Sequence, residues 1–501
     1  MCGIIGIIAN NQVAQQLFDG LTVLQHRGQD SAGIMTFEDH FHLKKGNGLV
    51  RDVFHTKNMI RLRGNIGIGH VRYPTAGSSD AAESQPFYVN SPFGLSLIHN
   101  GNLTNYDELK EEVSKIDLRH LNTRSDSEVL LNIVADALRN SHVEAFTPEK
   151  VFQAMEKVFK RLKGSYSVLV LVANYGMIAF RDPYGIRPLV MGKKDHELMS
   201  EYIFASESVA VDTLGYKFDS DVKPGEVVFI DMKRNVHRKQ VTKTNWAPCI
   251  FEHVYLARPD SILDGVSVYK TRLRMGVKLA KKIKDAKLKI DVVVPVPDSS
   301  RSAALSLAQG LGVKYREGLV KNRYIGRTFI MPGQEIRQKS IQYKLNPIKL
   351  ELKNRNVLLV DDSIVRGNTS KRIIQMVREA GAKKVYFASC APPLISPCVY
   401  GVDLPSKKEF VAHGLTTEEI CKVIGADKLF YQEMKDLLAS AREGNPKIAN
   451  FCHACMGGKY PTPEITKEVL DKAEATRGEI HKKGVVSIPT PDVQDEQLTL
   501  L

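Results

Sequence analysis

Residues 357–370, VLLVDDSIVRGNTS, run four apolar side chains into two adjacent carboxylates and then turn through a glycine. The stretch that follows, KRIIQMVREAGAKKVYFASC, has helical periodicity and then returns to apolar strand-like residues, so the whole reads strand, loop, helix, strand. That is a βαβ unit, and parallel strands collect ligands at their carboxyl ends. The loop ahead of a helix N-terminus is an anion cradle, to which Ser363, Thr369 and Ser370 add hydroxyls. Asp361 and Asp362 accept hydrogen bonds only, which suits sugar hydroxyls or a magnesium ion. Bare spacing leaves a surface or phospho-acceptor carboxylate as the alternative.

Outward from this unit, long helices alternate with apolar strands from about Asn245 onward, as in VSVYKTRLRMGVKLAKKIKD and IDVVVPVPDSS. The half before it differs. GIIGII near the start is strand-like, Val13, Leu17, Leu21 and Leu24 share one helical face, and GNIGIGHVRY, FGLSLIHNG, YSVLVLVANY and GMIAFRDPYG are short buried strands bounded by Gly, Asn and Pro. A layered sheet covered by helices is expected there. The chain is therefore divided into residues 2–240, residues 241–465 and a polar tail, 466–501.

With 501 residues, 43% hydrophobic and 25% charged, the composition is that of a globular protein of two or three domains. The net charge of +14 comes without a dominant basic helix or interleaved aromatics, so lysine-rich solvated faces are favoured over a nucleic-acid or membrane partner. The first basic residue is Arg27, which argues against a secretory signal, and the longest apolar stretch carries Asn174 and falls short of a span. A cytoplasmic location is expected, where seven cysteines serve catalysis, metal binding or burial rather than disulfides.

The opening MCGIIGIIANN raises a separate expectation. Removal of Met1 gives Cys2 a thiol and a free amine on neighbouring atoms, a nucleophile carrying its own base. The alternative is a small residue ahead of a strand.

Both halves resemble known families. VLLVDDSIVRGNTS is similar to the phosphoribosylpyrophosphate-binding signature of type I phosphoribosyltransferases, with Asn368 where a threonine is usual. MCGIIGI, LQHRGQDSAG, GHVRYPTAG, HNGNLTN and TRSDSE, in that order, resemble the glutamine-amidotransferase domain of the N-terminal-nucleophile hydrolases. Together they resemble the glutamine phosphoribosylpyrophosphate amidotransferases over nearly the whole length. The resemblance implies an αββα sandwich followed by a parallel-sheet phosphoribosyltransferase domain. It implies conversion of glutamine, phosphoribosylpyrophosphate and water to 5-phosphoribosylamine, glutamate and pyrophosphate, the committed step of purine synthesis.

Site residues follow from the matched motifs. Cys2 is the nucleophile, with Asn100 and Gly101 as the oxyanion hole; Arg72, Thr75 and Asp126 bind glutamine. Asp361 and Asp362 hold the ribose hydroxyls, and Ser363, Ile364, Val365, Arg366, Gly367, Asn368 and Thr369 hold the 5′-phosphate. Magnesium is implied beside Ser299, Asp361 and Asp362, and a 4Fe–4S cluster at Cys249, Cys398, Cys452 and Cys455, against four free thiols. His26, Arg27 and His70 are supporting residues, and the resemblance makes the basic segment 321–344 a lid over the polyanionic substrate, against a solvated basic loop. Purine nucleotides as inhibitors and a tetrameric assembly are implied as well. Two other readings stay open: a sugar-phosphate amidotransferase sharing the N-terminal half, and a non-catalytic phosphoribosylpyrophosphate sensor.

Overall fold

A computed structural model describes residues 2–73, 81–140, 146–197, 199–322, 345–472 and 474–475 of the chain. The first half is built on two antiparallel sheets. One has seven strands, in the order Lys217–Asp221, Val190–Lys194, Glu201–Ala205, Gly3–Ile8, Ile66–Arg72, Ser31–Phe37 and Phe41–Asn47. The other has six, in the order Val236–Gln240, Glu226–Asp231, Gly176–Arg181, Gly164–Val172, Leu95–Leu103 and Phe87–Val89.

The period of two in Gly3–Ile8 explains why the sheets stack. Ile4 and Ile8 point to the inner face, where with Ile66 and Ile68 they meet Leu169, Leu171, Met177 and Val228 of the second sheet. Ile5 and Ile7 point outward, against Leu17 and Leu21 of the helix Ala14–Val23. The helices Asp126–Arg139 and Pro148–Arg161 cover the outer face of the second sheet through Val129, Ile133, Val151 and Met155. The layers are α, β, β, α, as expected, with each fully buried aliphatic side chain contributing about 1.5–3 kcal/mol.

The long apolar stretch that contains Asn174 is two strands of this sheet, Gly164–Val172 and Gly176–Arg181, paired as a hairpin. Asn174 sits in its turn at φ 64°. Among the described residues no helix is long and apolar enough to cross a membrane.

The second half centres on a five-stranded parallel sheet, in the order Lys314–Tyr315, Val292–Pro295, Asn356–Asp361, Lys384–Ser389 and Lys428–Tyr431. The three central strands are buried on both faces, which is why their apolar runs are continuous rather than alternating. Val293, Leu358 and Ala388 pack toward the helices Val268–Asp285 and Arg301–Leu311, while Val357, Leu359 and Phe387 pack toward Ile373 and Val377 of the helix Asn368–Glu379.

Polar ties join the halves. Arg181 makes a buried two-pronged ion pair with Asp264 at 2.7 and 2.8 Å. Asn102 Nδ2 donates to the Val399 carbonyl at 3.1 Å, and Ser165 Oγ to the Tyr400 carbonyl at 3.0 Å. The basic segment lies outside the described residues apart from Lys321 and Asn322. Lys321 pairs with Asp298 at 3.1 Å.

Candidate active centres

Cys2 stands directly before Gly3–Ile8, the central strand of the seven-stranded sheet, and with Arg72, Gly101 and Asp126 it lines one cleft. Its backbone nitrogen donates to Asn100 Oδ1 at 3.4 Å, and its thiol faces the Tyr73 carbonyl at 3.8 Å. That contact orients the Asn100 carboxamide. Asn100 Nδ2 is left buried with no hydrogen-bond partner among the described residues, an expensive state unless a ligand oxygen is to be met there. Gly101 follows where a side chain cannot fit, because a Cβ would lie 2.0 Å from the Ser165 carbonyl oxygen.

The two charged residues expected to bind glutamine stand at the same cleft. Arg72 Nη2 pairs with Glu83 at 2.9 Å, and Arg72 Nη1 lies 3.6 Å from Asp30. Asp126 opens the helix Asp126–Arg139, whose N-cap is Ser125, and it accepts from the Leu103 N–H at 3.1 Å. Burial works to raise the Asp126 pKa, yet His99, the Leu103 N–H and Ser127 outweigh it and hold the carboxyl below its ordinary value. An ionised acid thus sits across the cleft from a guanidinium. Thr75 lies outside the described residues.

Behind Cys2 is a buried ionic network. Arg27 Nε donates to the Cys2 carbonyl at 3.0 Å, and its two Nη groups reach Glu252 at 2.8 and 3.2 Å. Arg27 also pairs with Glu207, which His26 Nε2 approaches at 2.7 Å. Arg187 Nη1 shares Glu252 Oε1 at 3.3 Å. His70 is fully buried on the neighbouring strand, and burial, aided by Arg72, lowers its pKa to about 3, so it stands neutral.

The second centre forms at the carboxyl ends of two adjacent parallel strands. Asp361 ends one strand, with Asp362 directly after it, and the turn bearing Ser299 follows the other. Ser299 Oγ and Ser363 Oγ both donate to Asp362, the latter at 2.6 Å, and the Asp362 N–H donates to Asp361 Oδ1 at 2.9 Å. Burial first, and for Asp361 the neighbouring carboxylate second, raise both acids above the ordinary range. Gly367, at φ 77°, turns the chain into the helix Asn368–Glu379.

The loop side chains divide by role. Ile364 is buried in the core on the side of helix Asn368–Glu379, Val365 packs against the core on the other side of the sheet, and Arg366 pairs with Glu409 at 2.9 Å. What Ile364 and Val365 offer an anion is their backbone, not their side chains. Asn368 and Thr369 are exposed at the helix start.

Four cysteines gather on a third side. The backbones of Cys249 and Cys452 pair as a single parallel β-bridge; the Ile250 N–H donates to the Cys452 carbonyl at 3.0 Å, and the Cys452 N–H to the Pro248 carbonyl at 2.9 Å. The Ile395 and Ser396 N–H groups donate to the Cys455 carbonyl, and the Tyr400 N–H to Cys398 Sγ at 3.3 Å. All four thiols are buried and unoxidised. Burial and mutual repulsion push Cys452 and Cys455 well above the usual thiol range, while Arg187 opposes the shift at Cys452. Among the described residues no three of His, Cys, Asp and Glu converge on a single metal ion.

A glutamine amidotransferase domain model matches residues 70–213, and a phosphoribosyl transferase domain model matches residues 270–395. The chain is 55% identical over 486 residues to the amidophosphoribosyltransferase of Pseudomonas aeruginosa, covering 96% of this chain and 97% of that one. The chain belongs to the amidophosphoribosyltransferase family. The Pasteurella multocida amidophosphoribosyltransferase is 52% identical, covering 96% of this chain and 97% of the relative. Among solved structures, the glutamine phosphoribosylpyrophosphate amidotransferase of B. subtilis complexed with ADP and GMP superposes with a TM-score of 0.83 at 35% identity, covering 95% of this chain and all of that one.

Glu83, Arg187, Glu207 and Glu252 are partners of the site that no motif pointed to. A signal existed for three of them. Arg187, Glu207 and Glu252 are lone charges inside otherwise weakly polar stretches, YGIRPLVM, FASESVAV and CIFEHVYL, and a charge buried in such a run needs an opposite charge.

Proposed function

We propose that Cys2, freed of Met1, is the nucleophile of the glutaminase half of the amidophosphoribosyltransferase reaction, and that Asp361 and Asp362 hold the ribose of phosphoribosylpyrophosphate in the other half. One observation carries the first assignment: Asn100 Nδ2 is buried, unpartnered and held beside Cys2 by its own Oδ1 contact.

The thiol passes its proton to the α-amine, and the sulfur attacks the side-chain amide carbon of glutamine. Asn100 Nδ2 and the Gly101 N–H receive the oxyanion; the carbon–nitrogen bond breaks and ammonia leaves with the proton. Water then cleaves the thioester to glutamate and restores the thiol. Arg72 takes the substrate α-carboxylate and Asp126 its α-ammonium, with Thr75 assigned beside them by resemblance. Ammonia attacks C1 of phosphoribosylpyrophosphate, and the bond to pyrophosphate breaks.

Two buried acids with raised pKa values, beside the Ser299 hydroxyl, are hard oxygen donors whose mutual repulsion a divalent cation relieves. Ser299, Asp361 and Asp362 are the residues we assign to magnesium, which when bound offsets charge on the leaving pyrophosphate. The backbone of the loop Ser363–Thr369 takes the 5′-phosphate at the helix N-terminus.

Four buried thiols drawn together from three segments suit a cubane cluster, which asks for one thiolate per iron rather than convergence on one ion. Cys249, Cys398, Cys452 and Cys455 would hold it, and it would tie those segments together. Seven free cysteines fit a reducing cytoplasm. Purine nucleotides as inhibitors are supported by the ADP and GMP of the B. subtilis relative. Residues 2–240 and 241–465 are assigned to the two half-reactions, in keeping with the sheet systems they contain.

Supplying glutamine with an isotopically labelled amide nitrogen, phosphoribosylpyrophosphate and magnesium tests the reading. Labelled phosphoribosylamine with equal amounts of glutamate and pyrophosphate is expected; glutamate without phosphoribosylamine would contradict it.

A further inference from the structure

An N-terminal nucleophile has chain on one side only, so something must fix its backbone while the thiol reacts. At Cys2 the carbonyl is held by Arg27 Nε at 3.0 Å. Arg27 is held in turn by both oxygens of Glu252, at 2.8 and 3.2 Å, and Arg187 Nη1 meets the same Glu252 Oε1 at 3.3 Å. Arg187, Glu252 and Arg27 are each no more than 3% exposed, so water does not compete with these contacts. The backbone of Arg187 is itself pinned, its carbonyl accepting from Arg181 Nε at 2.6 Å and from Ser167 Oγ at 3.0 Å.

The line has a direction. Glu252 lies three residues beyond Cys249, on the segment whose backbone bridges to Cys452, and two arginines share its Oε1 while Arg27 also takes Oε2. Arg27 is also held by Glu207, so removing the Arg187 charge unbalances the pull on it: Glu252, relieved of one of its two arginines, can shift, and the Arg27 guanidinium that holds the Cys2 carbonyl shifts with it. Arg187 is not among the residues that line the cleft at Cys2, so its influence on Cys2 passes through Glu252 and Arg27.

We propose that Arg187 is a positioning residue for the glutaminase half-reaction, setting the Cys2 backbone through Glu252 and Arg27. This rests on the reading of Cys2 as nucleophile. A displacement of about 1 Å in a reacting group can cost about 100-fold in rate, so a loss concentrated in kcat is expected.

The test uses the full-length enzyme with Arg187→Gln and Arg187→Lys. Three quantities are measured: glutaminase kcat and KM, ammonia-driven phosphoribosylamine synthesis, and the rate at which iodoacetamide alkylates Cys2, read by peptide mass spectrometry. In Arg187→Gln, kcat should fall about 10- to 100-fold with KM for glutamine within about two-fold, Cys2 alkylation should slow, and ammonia-driven synthesis should persist. Arg187→Lys, keeping the charge and one donor, should fall between that variant and wild type. Wild-type kcat and alkylation in Arg187→Gln would overturn the proposal, as would equal losses of glutamine-driven and ammonia-driven synthesis. If Arg187→Gln does not fold, Arg187→Lys decides, and wild-type glutaminase in it would overturn the proposal. Cys2→Ala is run alongside: glutamine-driven synthesis surviving in it would sink the nucleophile reading itself, whereas its loss with an unaffected Arg187→Gln would sink only the role of Arg187.

Discussion

Gly401 packs against Gly101 so closely that a Cβ on Gly401 would sit 2.7 Å from the Gly101 carbonyl oxygen and 2.9 Å from its carbonyl carbon. Gly401 belongs to the half that carries the parallel sheet, and Gly101 to the strand Leu95–Leu103, to which we assign the oxyanion donors. The strand Leu95–Leu103 is thus backed by the other half of the chain, three residues beyond Cys398.

The Gly401→Ala protein should lose glutaminase activity. Gly401 also stands at φ 92°, so alanine is strained there and pushes on Gly101 at once. We expect kcat for glutamine hydrolysis to fall by about 10- to 100-fold, with ammonia-driven synthesis largely kept. Parallel assays with glutamine and with ammonium chloride check this.

Removing the Asn100 carboxamide tests the oxyanion assignment. Asn100→Ala should lower glutaminase kcat by about 10²- to 10³-fold with little change in KM, the usual loss for one donor of this kind. Asn100→Asp should do no better, since a carboxylate there repels the developing charge.

Asp126→Asn should act on binding instead. The side chain keeps its shape but loses the charge offered to the substrate ammonium. A charge-assisted hydrogen bond worth about 1.5–3 kcal/mol corresponds to at least a ten-fold rise in KM for glutamine. Steady-state kinetics that showed a pure kcat effect would speak against the assigned role.

Acid should destabilise the fold through two buried histidines. His70 and His253 are essentially inaccessible, and burial lowers their pKa values to about 3 and about 4. An unfolded histidine titrates near 6.5, so below that pH the unfolded chain binds more protons than the folded one. Their contribution to stability is complete above about pH 6.5 and declines as pH falls toward 4. Urea unfolding of His253→Leu should therefore depend less steeply on pH between 6.5 and 4 than that of wild type.

Much of this was legible because it is periodic or local. The alternation in GIIGII sends successive isoleucines to opposite faces, and the continuous run VLLV fits a strand covered on both sides, so both sheet systems could be read from short windows. Cys2, Asn100, Gly101, Arg72 and Asp126 could be named because they sit in compact motifs, and the fold brings them to one place. Gly401 could not be read this way. Its need for a bare α-carbon arises from Gly101, far away in the chain, and no local pattern records that contact. Arg187 and Glu252 are similar: their partners are set by how the halves dock, and a window of sequence shows only an isolated charge.

We assign to Cys2 the release of the nitrogen that the second half installs. Wild type and Cys2→Ala are compared, each given phosphoribosylpyrophosphate and magnesium with either glutamine or ammonium chloride. The variant should make phosphoribosylamine from ammonia at close to the wild-type rate and none from glutamine. Glutamine-driven product from the Cys2→Ala protein would contradict the account.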